Sequence, residues 1–307
     1  MKLAVVGAGA MGSLFGGLLA EAGVEVRLLD IWAEHVETVN EKGLNIESEG
    51  ETRLVKVQAT TDSRSVGRAD LILIFVKSTQ TGTAVETAKE MVDADTMVLT
   101  LQNGMGNADV ISKVIDPGVV LAGTTSHGAT MLGPGRIRHA GSGPTVIGPW
   151  AGGNVDGAQR VAALFNNAGI KAEALEDVHT VLWNKLLINV GINAVTALTG
   201  IKNGQILDLE ITKSLSRAAV EEAMAVARAQ GIEIRDDAVD QVYQVAGATA
   251  QNRSSMGQDV DRSRQTEIGA INGVIVKEGR RLGIETPVNQ TLTALIETLE
   301  AHYVGTD

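Results

Sequence analysis

A cluster of glycines near the start of the chain follows a short apolar run and opens a helix-like pattern. Residues 2–12 read KLAVVGAGAMG, in which three glycines have the spacing G-x-G-x-x-G. In such a strand–turn–helix unit the first glycine permits a tight turn, the second admits a pyrophosphate, and the third lets the helix pack closely. The helix N-terminus then attracts the phosphates. Glycines also occur in ordinary turns, but this context predicts a dinucleotide site at Gly7, Ala8, Gly9, Ala10, Met11 and Gly12.

The first 23 residues also have features of a secretory signal. They contain a lysine, an apolar run and a small-residue end at Ala20-Glu21-Ala22. Six glycines in the same stretch weaken a signal-type helix, so we favour the dinucleotide turn. Because no other segment approaches about 18 uninterrupted apolar residues, we expect no membrane span.

The pattern of apolar residues divides the chain into two parts. Strands alternate with helices over about the first 170 residues, which predicts an α/β domain with a Rossmann-type, doubly wound parallel sheet. From about residue 177 the pattern is helical, which predicts an all-α C-terminal domain. We therefore expect domains at 1–176 and 177–307, with the first C-terminal helix at the wall between them. The predicted strands are 24–30, 69–77, 96–104, 119–126 and 144–149, and the predicted helices after residue 177 are 178–198, 208–230, 236–250, 264–282 and 287–301.

Composition excludes several classes of protein. Hydrophobic residues make up 44% of the 307 residues and charged residues 21%, as in an ordinary globular protein. The net charge of -11 argues against a nucleic-acid partner, because phosphate binding needs clustered Lys and Arg. The chain has no cysteine, so disulfides, thiolate metal sites and cysteine nucleophiles are excluded. We expect no metal site and a cytoplasmic location.

An acidic residue ends the second predicted strand. Asp30 lies 18 residues after Gly12, close to the spacing of the carboxylate that binds the adenosine ribose hydroxyls in dinucleotide sites. A carboxylate there would repel a 2′-phosphate, and the following residues IWA supply no cation. Asp30 therefore favours NAD(H) over NADP(H). The alternative is that it caps the following helix.

Three polar residues form a stripe on an otherwise apolar helix. Lys185, Asn189 and Asn193 are spaced four apart in WNKLLINVGINAVTAL, so they lie about 40° apart around the helix axis. A helix that is apolar nearly all round is buried, and buried polar groups need partners. The alternative is a solvent-facing stripe. We favour a bound polar substrate as the partner, with the Lys185 ammonium as the general acid that protonates a keto oxygen during hydride transfer.

A second polar cluster lies in SSMGQDVDRSRQTEIGAING, residues 254–273. Its serines can hydrogen-bond a substrate carboxylate, and Glu267, expected in the first turns of the predicted helix, can bind a ribose hydroxyl or pair with the lysine. Serine and aspartate are also ordinary residues at helix starts, and an early glutamate suits the helix dipole. The pattern leaves both interpretations open.

Four blocks together resemble the ketopantoate reductase family. They are GAGAMG; VKSTQT with LQNGMGN; WNKLLINVGINAVTAL with NGQI; and SSMGQD with TEIGAING, in the expected order over nearly the whole chain. The resemblance implies a Rossmann-type domain followed by a helical domain. It implies Lys185 as catalytic acid and a set of substrate-binding residues at Asn103, Asn189, Asn193, Asn203 and Ser255. It also implies cofactor contacts at Lys77, Asn103, Ala129 and Glu267.

One departure concerns the cofactor and the substrate. The family's usual enzymes use NADPH, typically with a basic residue after the second strand, where this chain reads LLDIWAEHV. That segment is more similar to the NAD-using branch, some of whose members act on other D-2-hydroxy acids. The expected substrate is a small 2-keto acid, first ketopantoate, which would give D-pantoate for pantothenate and coenzyme A synthesis. The alternatives are an NAD-dependent D-2-hydroxyacid dehydrogenase and, more remotely, a non-catalytic NAD(P)H sensor. The oligomeric state stays open, with a homodimer as the candidate.

Overall fold

The computed structural model describes residues 1–303, so the last residues of the predicted domain 177–307 lie outside the described part. The chain forms two compact units. One contains residues 1–102 and 107–178, and the other contains residues 103–106 and the chain from His179 onward. The short segment Asn103–Gly106 thus belongs with the helical unit, which the sequence pattern did not predict.

The first unit combines two sheets with short helices. Its strands are β1 (Lys2–Val6), β2 (Glu25–Leu29), β3 (Leu44–Ser48), β4 (Glu51–Val55), β5 (Gln58–Thr60), β6 (Leu71–Ile74), β7 (Met97–Thr100), β8 (Val120–Thr125), β9 (Gly128–Gly133), β10 (Arg136–Gly141), β11 (Thr145–Pro149) and β12 (Ala172–Ala174). Its helices are α1 (Ala10–Glu21), α2 (Ala33–Lys42), α3 (Ser63–Val66), α4 (Thr81–Ala88), α5 (Asn107–Ser112) and α6 (Val155–Asn167).

The larger sheet confirms the predicted α/β fold class. Its eight strands have the order β12-β11-β8-β7-β6-β1-β2-β5. The six strands from β8 to β5 in this order all run parallel to one another. The chain moves outward from β1 in both directions, which is the doubly wound Rossmann arrangement. One edge departs from the expected parallel sheet, because β11 pairs antiparallel to β8.

A second, four-stranded sheet was missed by the sequence interpretation. Its order is β4-β3-β10-β9, and it contains two antiparallel pairs, β3 with β4 and β9 with β10. The β3–β4 turn places both Glu49 and Gly50 at positive φ. Strand β4 is mostly exposed, so it lacks the continuous apolar run that marked the buried parallel strands. The first unit is therefore larger than a plain doubly wound domain.

The second unit is helical, as predicted. Its long helices surround a core that includes Leu186, Val190, Val220 and Ile275, all nearly or completely buried. The helices are α7 (His179–Thr199), α8 (Glu210–Ala229), α9 (Ala238–Ala248), α10 (Ser255–Val260), α11 (Ile268–Leu282) and α12 (Pro287–Glu300), with a short 3-10 helix at Asn203–Leu207.

Two details around the second polar cluster correct the sequence interpretation. The predicted helix 264–282 begins four residues later, at Ile268, and the Thr266 N–H before it donates to the Glu300 side chain at 2.8 Å. Residues 255–260, which lie between the predicted helices 236–250 and 264–282, form the short helix α10. The side chain of Ser254 caps α10 by accepting a hydrogen bond from the Gly257 N–H at 3.0 Å.

Helix α7 is the centre of the helical unit. By length and composition it could cross a membrane, and it is the one such helix in residues 1–303. However, 61% of its apolar window is buried inside the protein. A helix that is apolar on most of its surface also forms the core of a globular domain, so this composition is weak evidence for a membrane.

A chain of buried amides connects α7 to its neighbours. The Asn272 side chain donates to the Val190 carbonyl of α7 at 3.4 Å and to the Asn289 side chain at 2.9 Å. Asn289 in turn donates to Glu222 of α8 at 2.7 Å. Glu222 also accepts from the backbone N–H groups of Val288 and Asn289, the first turn of α12. One carboxylate therefore both caps α12 and ends the network that reaches α7.

We predict that Glu222→Ala lowers the free energy of unfolding by about 2–3 kcal/mol, because it removes the acceptor of the part-buried N–H groups of Val288 and Asn289 and of the buried Asn289 amide. Denaturant unfolding followed by circular dichroism measures this. The neighbouring Glu221 is the matched control, since it is exposed and pairs with Arg217 at 3.8 Å. Glu221→Ala should change stability by less than about 1 kcal/mol. Equal losses in the two variants would contradict this role of Glu222.

Candidate active site

The glycine turn has the geometry that a pyrophosphate requires. Gly7 has a φ of +93°, which favours glycine, and a Cβ there would lie 2.8 Å from the backbone of Val76. A Cβ on Gly12 would lie 1.9 Å from the Gly7 carbonyl oxygen, so α1 packs directly on the turn. A Cβ on Gly9, in contrast, would meet nothing within 4 Å. Gly9 therefore leaves open space where a phosphate can approach the backbone.

The start of α1 fits an anion. Gly9 is its N-cap residue, no side chain caps it, and its first turn contains no acidic residue. Among the described residues, no side chain caps the N–H groups of this first turn. These groups and the positive end of the helix dipole are thus available to a phosphate. The turn and this helix start contain the residues predicted from the sequence as the dinucleotide site, Gly7, Ala8, Gly9, Ala10, Met11 and Gly12.

Two hydrogen bonds fix the strand ends beside the glycine turn. The Gly7 N–H donates to the Leu29 carbonyl at 2.9 Å, and the Phe75 N–H donates to the Val6 carbonyl at 2.8 Å. Asp30 directly follows β2, which ends at Leu29, and Lys77 lies three residues after β6, which ends at Ile74. The two predicted cofactor residues therefore lie at the same carboxyl edge of the sheet as the turn, where ligands of this fold bind.

Asp30 organises its own loop. Its Oδ1 accepts a hydrogen bond from the Trp32 N–H at 2.9 Å. The N-cap residue of α2 is Trp32, and no side chain caps that helix. The alternative expected from the sequence, that Asp30 caps the following helix, therefore does not describe this loop. The carboxylate is half-buried and lies at the end of β2.

Lys77 and Ala129 lie in different parts of the first unit. Lys77 is half-buried at the N-cap position of a short 3-10 helix, Ser78–Gln80. Ala129 lies in β9 of the second sheet, opposite His139, and packs partly buried against the core. Because the sequence interpretation missed this sheet, it gave no structural setting for Ala129.

In the helical unit, the polar stripe of α7 is shielded from solvent. Asn193 is buried, with 5% of its surface exposed, and Lys185 and Asn189 are half-buried. None of the three is among the exposed residues, so the protein covers this stripe in part at Lys185 and Asn189 and fully at Asn193. Burial lowers the pKa of Lys185 from 10.5 to about 8, and the negative charge of Glu267 partly offsets this by raising it.

Glu267 lies at the N-cap position of α11 and is buried, with 7% of its surface exposed. Its Oε2 lies 3.5 Å from the Asn103 side-chain nitrogen, a long hydrogen bond. The segment that carries Asn103 packs on the same helix start: the Met105 N–H donates to the Ala270 carbonyl at 2.9 Å. The structure therefore brings together an ammonium, a carboxylate and an amide in the second unit.

Asn203 and Ser255 differ in their surroundings. Asn203 is buried, and its amide nitrogen donates to the Thr249 hydroxyl at 3.0 Å. Its Oδ1 is buried and has no hydrogen-bond partner among the described residues. A buried acceptor without a partner is costly, so this oxygen suits a ligand donor. Ser255, the first residue of α10, is exposed.

The sequence interpretation missed Arg253, which holds α10 in place. Its guanidinium forms two bonds to Asp261, at 2.9 and 2.8 Å, and donates to the carbonyls of Ile201, at 3.0 Å, and Thr196. Arg253 thus connects both ends of α10 to the carboxyl end of α7. It lies two residues before Ser255 in the sequence. Arginine beside the serine pair was the available signal, but two of its partners are backbone carbonyls, which no side-chain pattern identifies.

The first unit thus carries a glycine turn at an uncapped helix start with Asp30 at the same sheet edge, and the second carries an ammonium of lowered pKa among amides. This combination is typical of oxidoreductases that depend on a nicotinamide dinucleotide.

Comparison with known proteins gives the family. The chain matches the family described as ketopantoate reductase PanE/ApbA over residues 3–152 and the C-terminal part of the same family over residues 177–300. The chain belongs to this family of nicotinamide-dependent oxidoreductases, and the resemblance inferred from the sequence is confirmed. It is similar to the 2-dehydropantoate 2-reductase of Halobacterium salinarum, 39% identical over 96% of this chain and 98% of that protein.

Two solved structures share this fold. A PanE/ApbA family ketopantoate reductase from Ralstonia eutropha JMP134 is 38% identical, with a TM-score of 0.90 over 98% of this chain and 99% of that one. The ternary structure of D-mandelate dehydrogenase with NADH and anilino(oxo)acetate is 30% identical, with a TM-score of 0.92 over the same shares of the two chains. The chain thus shares its fold with a protein named for mandelate, a 2-hydroxy acid different from pantoate.

We predict that alanine at Gly9 and at Gly12 has different effects. Gly9 has a φ of −61° and open space, so Gly9→Ala should keep the free energy of unfolding within about 0.5 kcal/mol. It should nevertheless weaken NADH binding about 10-fold, because the methyl group occupies the approach of the pyrophosphate. Gly12→Ala should lower stability by about 1–3 kcal/mol, because its Cβ overlaps the Gly7 carbonyl.

Thermal unfolding and NADH fluorescence titration of the two variants measure these effects. Unchanged NADH affinity in a stable Gly9→Ala protein would remove the turn from the cofactor site.

Proposed function

We propose that this chain reduces 2-dehydropantoate to D-pantoate, with hydride from NADH, in the synthesis of pantothenate and coenzyme A. Family membership and 39% identity to a 2-dehydropantoate 2-reductase over nearly the whole chain support the reaction. The single observation that carries the chemistry is the shielded Lys185 ammonium, whose pKa burial lowers to about 8.

Lys185 is the general acid of this proposal. A reduced nicotinamide, when bound, supplies hydride to the keto carbon. Negative charge then develops on the keto oxygen, where an ammonium stabilises it and transfers its proton. At neutral pH most Lys185 side chains are protonated, because the pKa of about 8 lies above it, so the acid is ready before each turnover. Glu267 maintains that charge by raising the pKa.

The amides and one hydroxyl hold the substrate. Asn189 and Asn193 follow Lys185 along one face of α7, where they can orient the oxygens of a 2-keto acid. The unpartnered Oδ1 of Asn203 can accept a hydrogen bond from the substrate hydroxyl. Asn103, near Glu267, serves substrate and cofactor, and Ser255 offers its exposed hydroxyl to the carboxylate.

NADH is the proposed cofactor, with NADPH as the family-typical alternative. The glycine turn binds the pyrophosphate, and the half-buried Asp30 carboxylate binds the adenosine ribose and repels a 2′-phosphate. Ile31, Trp32 and Ala33 supply no cation next to it. Lys77, Ala129 and Glu267 complete the proposed set of cofactor contacts.

A second candidate function is an NAD-dependent D-2-hydroxyacid dehydrogenase with another 2-keto acid. Two observations favour it: the similarity to the ternary structure of D-mandelate dehydrogenase with NADH and anilino(oxo)acetate, at a TM-score of 0.92, and the acidic residue at position 30. A non-catalytic sensor needs no acid at this site, so Lys185 argues against it. A cytoplasmic location, a homodimer and domains at 1–176 and 177–307 belong to the proposal as well.

We predict that Lys185→Ala lowers kcat/KM for reduction by a factor of about 10²–10⁴, the usual contribution of a general acid. In the wild type, kcat/KM should be constant at low pH and fall as pH rises through about 8, because deprotonation removes the acid. Glu267→Gln should move this fall to lower pH, because the carboxylate raises the pKa of Lys185. Steady-state rates between pH 6 and about 10 measure all three effects.

Lys277→Ala is the matched control, because this lysine is exposed on α11. It should retain the rate and pH profile of the wild type. Near-wild-type turnover in Lys185→Ala, with cofactor bound, would show that another group supplies the proton.

We further predict that a panel of 2-keto acids, each tested with NADH and NADPH, shows highest activity with 2-dehydropantoate and NADH. Asp30→Arg should shift the preference towards NADPH by about 10-fold or more, because it replaces repulsion of the 2′-phosphate by attraction. Absorbance at 340 nm follows the reaction. Highest activity with a different keto acid would favour the second candidate function, and absence of oxidation with all substrates would favour the sensor.

A further inference from the structure

An exposed tryptophan lies at the carboxyl end of β2, beside the proposed ribose carboxylate. Trp32 exposes 38% of its surface, although it is the largest apolar side chain in this loop. Its backbone N–H donates to the Asp30 carboxylate, so its position is linked to that residue. A ribose bound by Asp30 carries its base one glycosidic bond away, within reach of an aromatic ring at the next positions of the loop.

A buried histidine supports the indole from behind. The rings of Trp32 and His35 are stacked, with centroids 5.5 Å apart and planes inclined by 18°. His35 is completely buried, so one face of the indole is covered by a fixed ring. An indole supported in this way loses little conformational freedom when a second flat ring stacks on it.

His35 itself is fixed by hydrogen bonds that reach the glycine turn. Its Nδ1 accepts from the Gly135 N–H at 3.0 Å, so Nε2 carries the proton of the neutral ring and lies 3.3 Å from the Ser13 hydroxyl. That hydroxyl donates to the Ala8 carbonyl at 2.7 Å. Burial lowers the pKa of His35, consistent with this neutral form. The indole support and the phosphate turn thus form one hydrogen-bonded unit.

We propose that Trp32 is the stacking platform for the adenine base of the cofactor. The inference rests on the proposed function, since it requires a dinucleotide whose ribose is bound by Asp30. It adds a residue that the glycine pattern and the ribose carboxylate do not specify. Because NADH and NADPH carry the same adenine, the proposal is independent of the 2′-phosphate preference.

Substitution of Trp32 tests this with two probes, ADP-ribose, which contains the base, and reduced nicotinamide mononucleotide, which lacks it. Trp32→Ala should raise the Kd for ADP-ribose about 10-fold, in the range of base–aromatic stacking. It should raise the KM for NADH similarly, with kcat and the KM for the mononucleotide unchanged. Trp32→Phe should recover most of the affinity, and Trp32→Leu, which keeps bulk without a π-face, should not. Ile31→Ala is the control, because this exposed neighbour should have no effect.

Calorimetry with ADP-ribose and steady-state kinetics with both reduced nucleotides give the outcome. Wild-type affinity in Trp32→Ala or Trp32→Leu, with the wild type binding ADP-ribose, would overturn the platform and leave the proposed function intact. An equal loss with the mononucleotide would overturn it too, since that result would show a structural effect through His35 on the turn. A wild type that binds neither ADP-ribose nor NADH would overturn the proposed function together with the platform.

Discussion

The helical unit must compensate for the free energy that the Lys185 ammonium loses when it is desolvated. An ammonium on the apolar helix α7 is stable only where neighbouring groups compensate for its lost hydration, and Glu267 supplies part of that compensation. The same burial brings the pKa of Lys185 close to neutral pH, which suits a group that must give up a proton. The amide network behind α7, from Glu222 through Asn289 and Asn272, keeps this helix in place.

In the first unit, the groups proposed to bind the cofactor phosphates are backbone N–H groups and not charged side chains. The start of α1 offers N–H groups that no side chain caps, and glycine leaves the approach to them open. Side chains fix the turn indirectly: Ser13 bonds to the Ala8 carbonyl, and His35 connects Ser13 to Gly135 of the second sheet. The second sheet therefore supports the glycine turn, because Gly135 in its β9–β10 turn holds the histidine behind that turn.

Local signals predicted much of this arrangement. The glycine spacing, the buried parallel strands and the helical periodicity after residue 177 gave the fold class, and the spacing of Lys185 and Asn193 gave the shielded stripe. The features that were missed depend on partners distant in sequence. The exposed strand β4 has no apolar run, and before the start of α11 at Ile268 the Thr266 N–H donates to Glu300 of α12. The pairing of residues 103–106 with α11 and the support of Trp32 by His35 are tertiary contacts that periodicity does not encode.

The proposed chemistry depends on the protonation equilibrium of Lys185, which nuclear magnetic resonance can measure without any substrate. The protein is labelled with ¹³C at lysine Cε, and the Lys185 resonance is assigned by its absence in Lys185→Arg and followed as pH increases. The midpoint of the Lys185 resonance is expected near pH 8. A midpoint close to 10.5, the ordinary value for lysine, would show a solvated ammonium and would contradict the assignment of Lys185 as the acid.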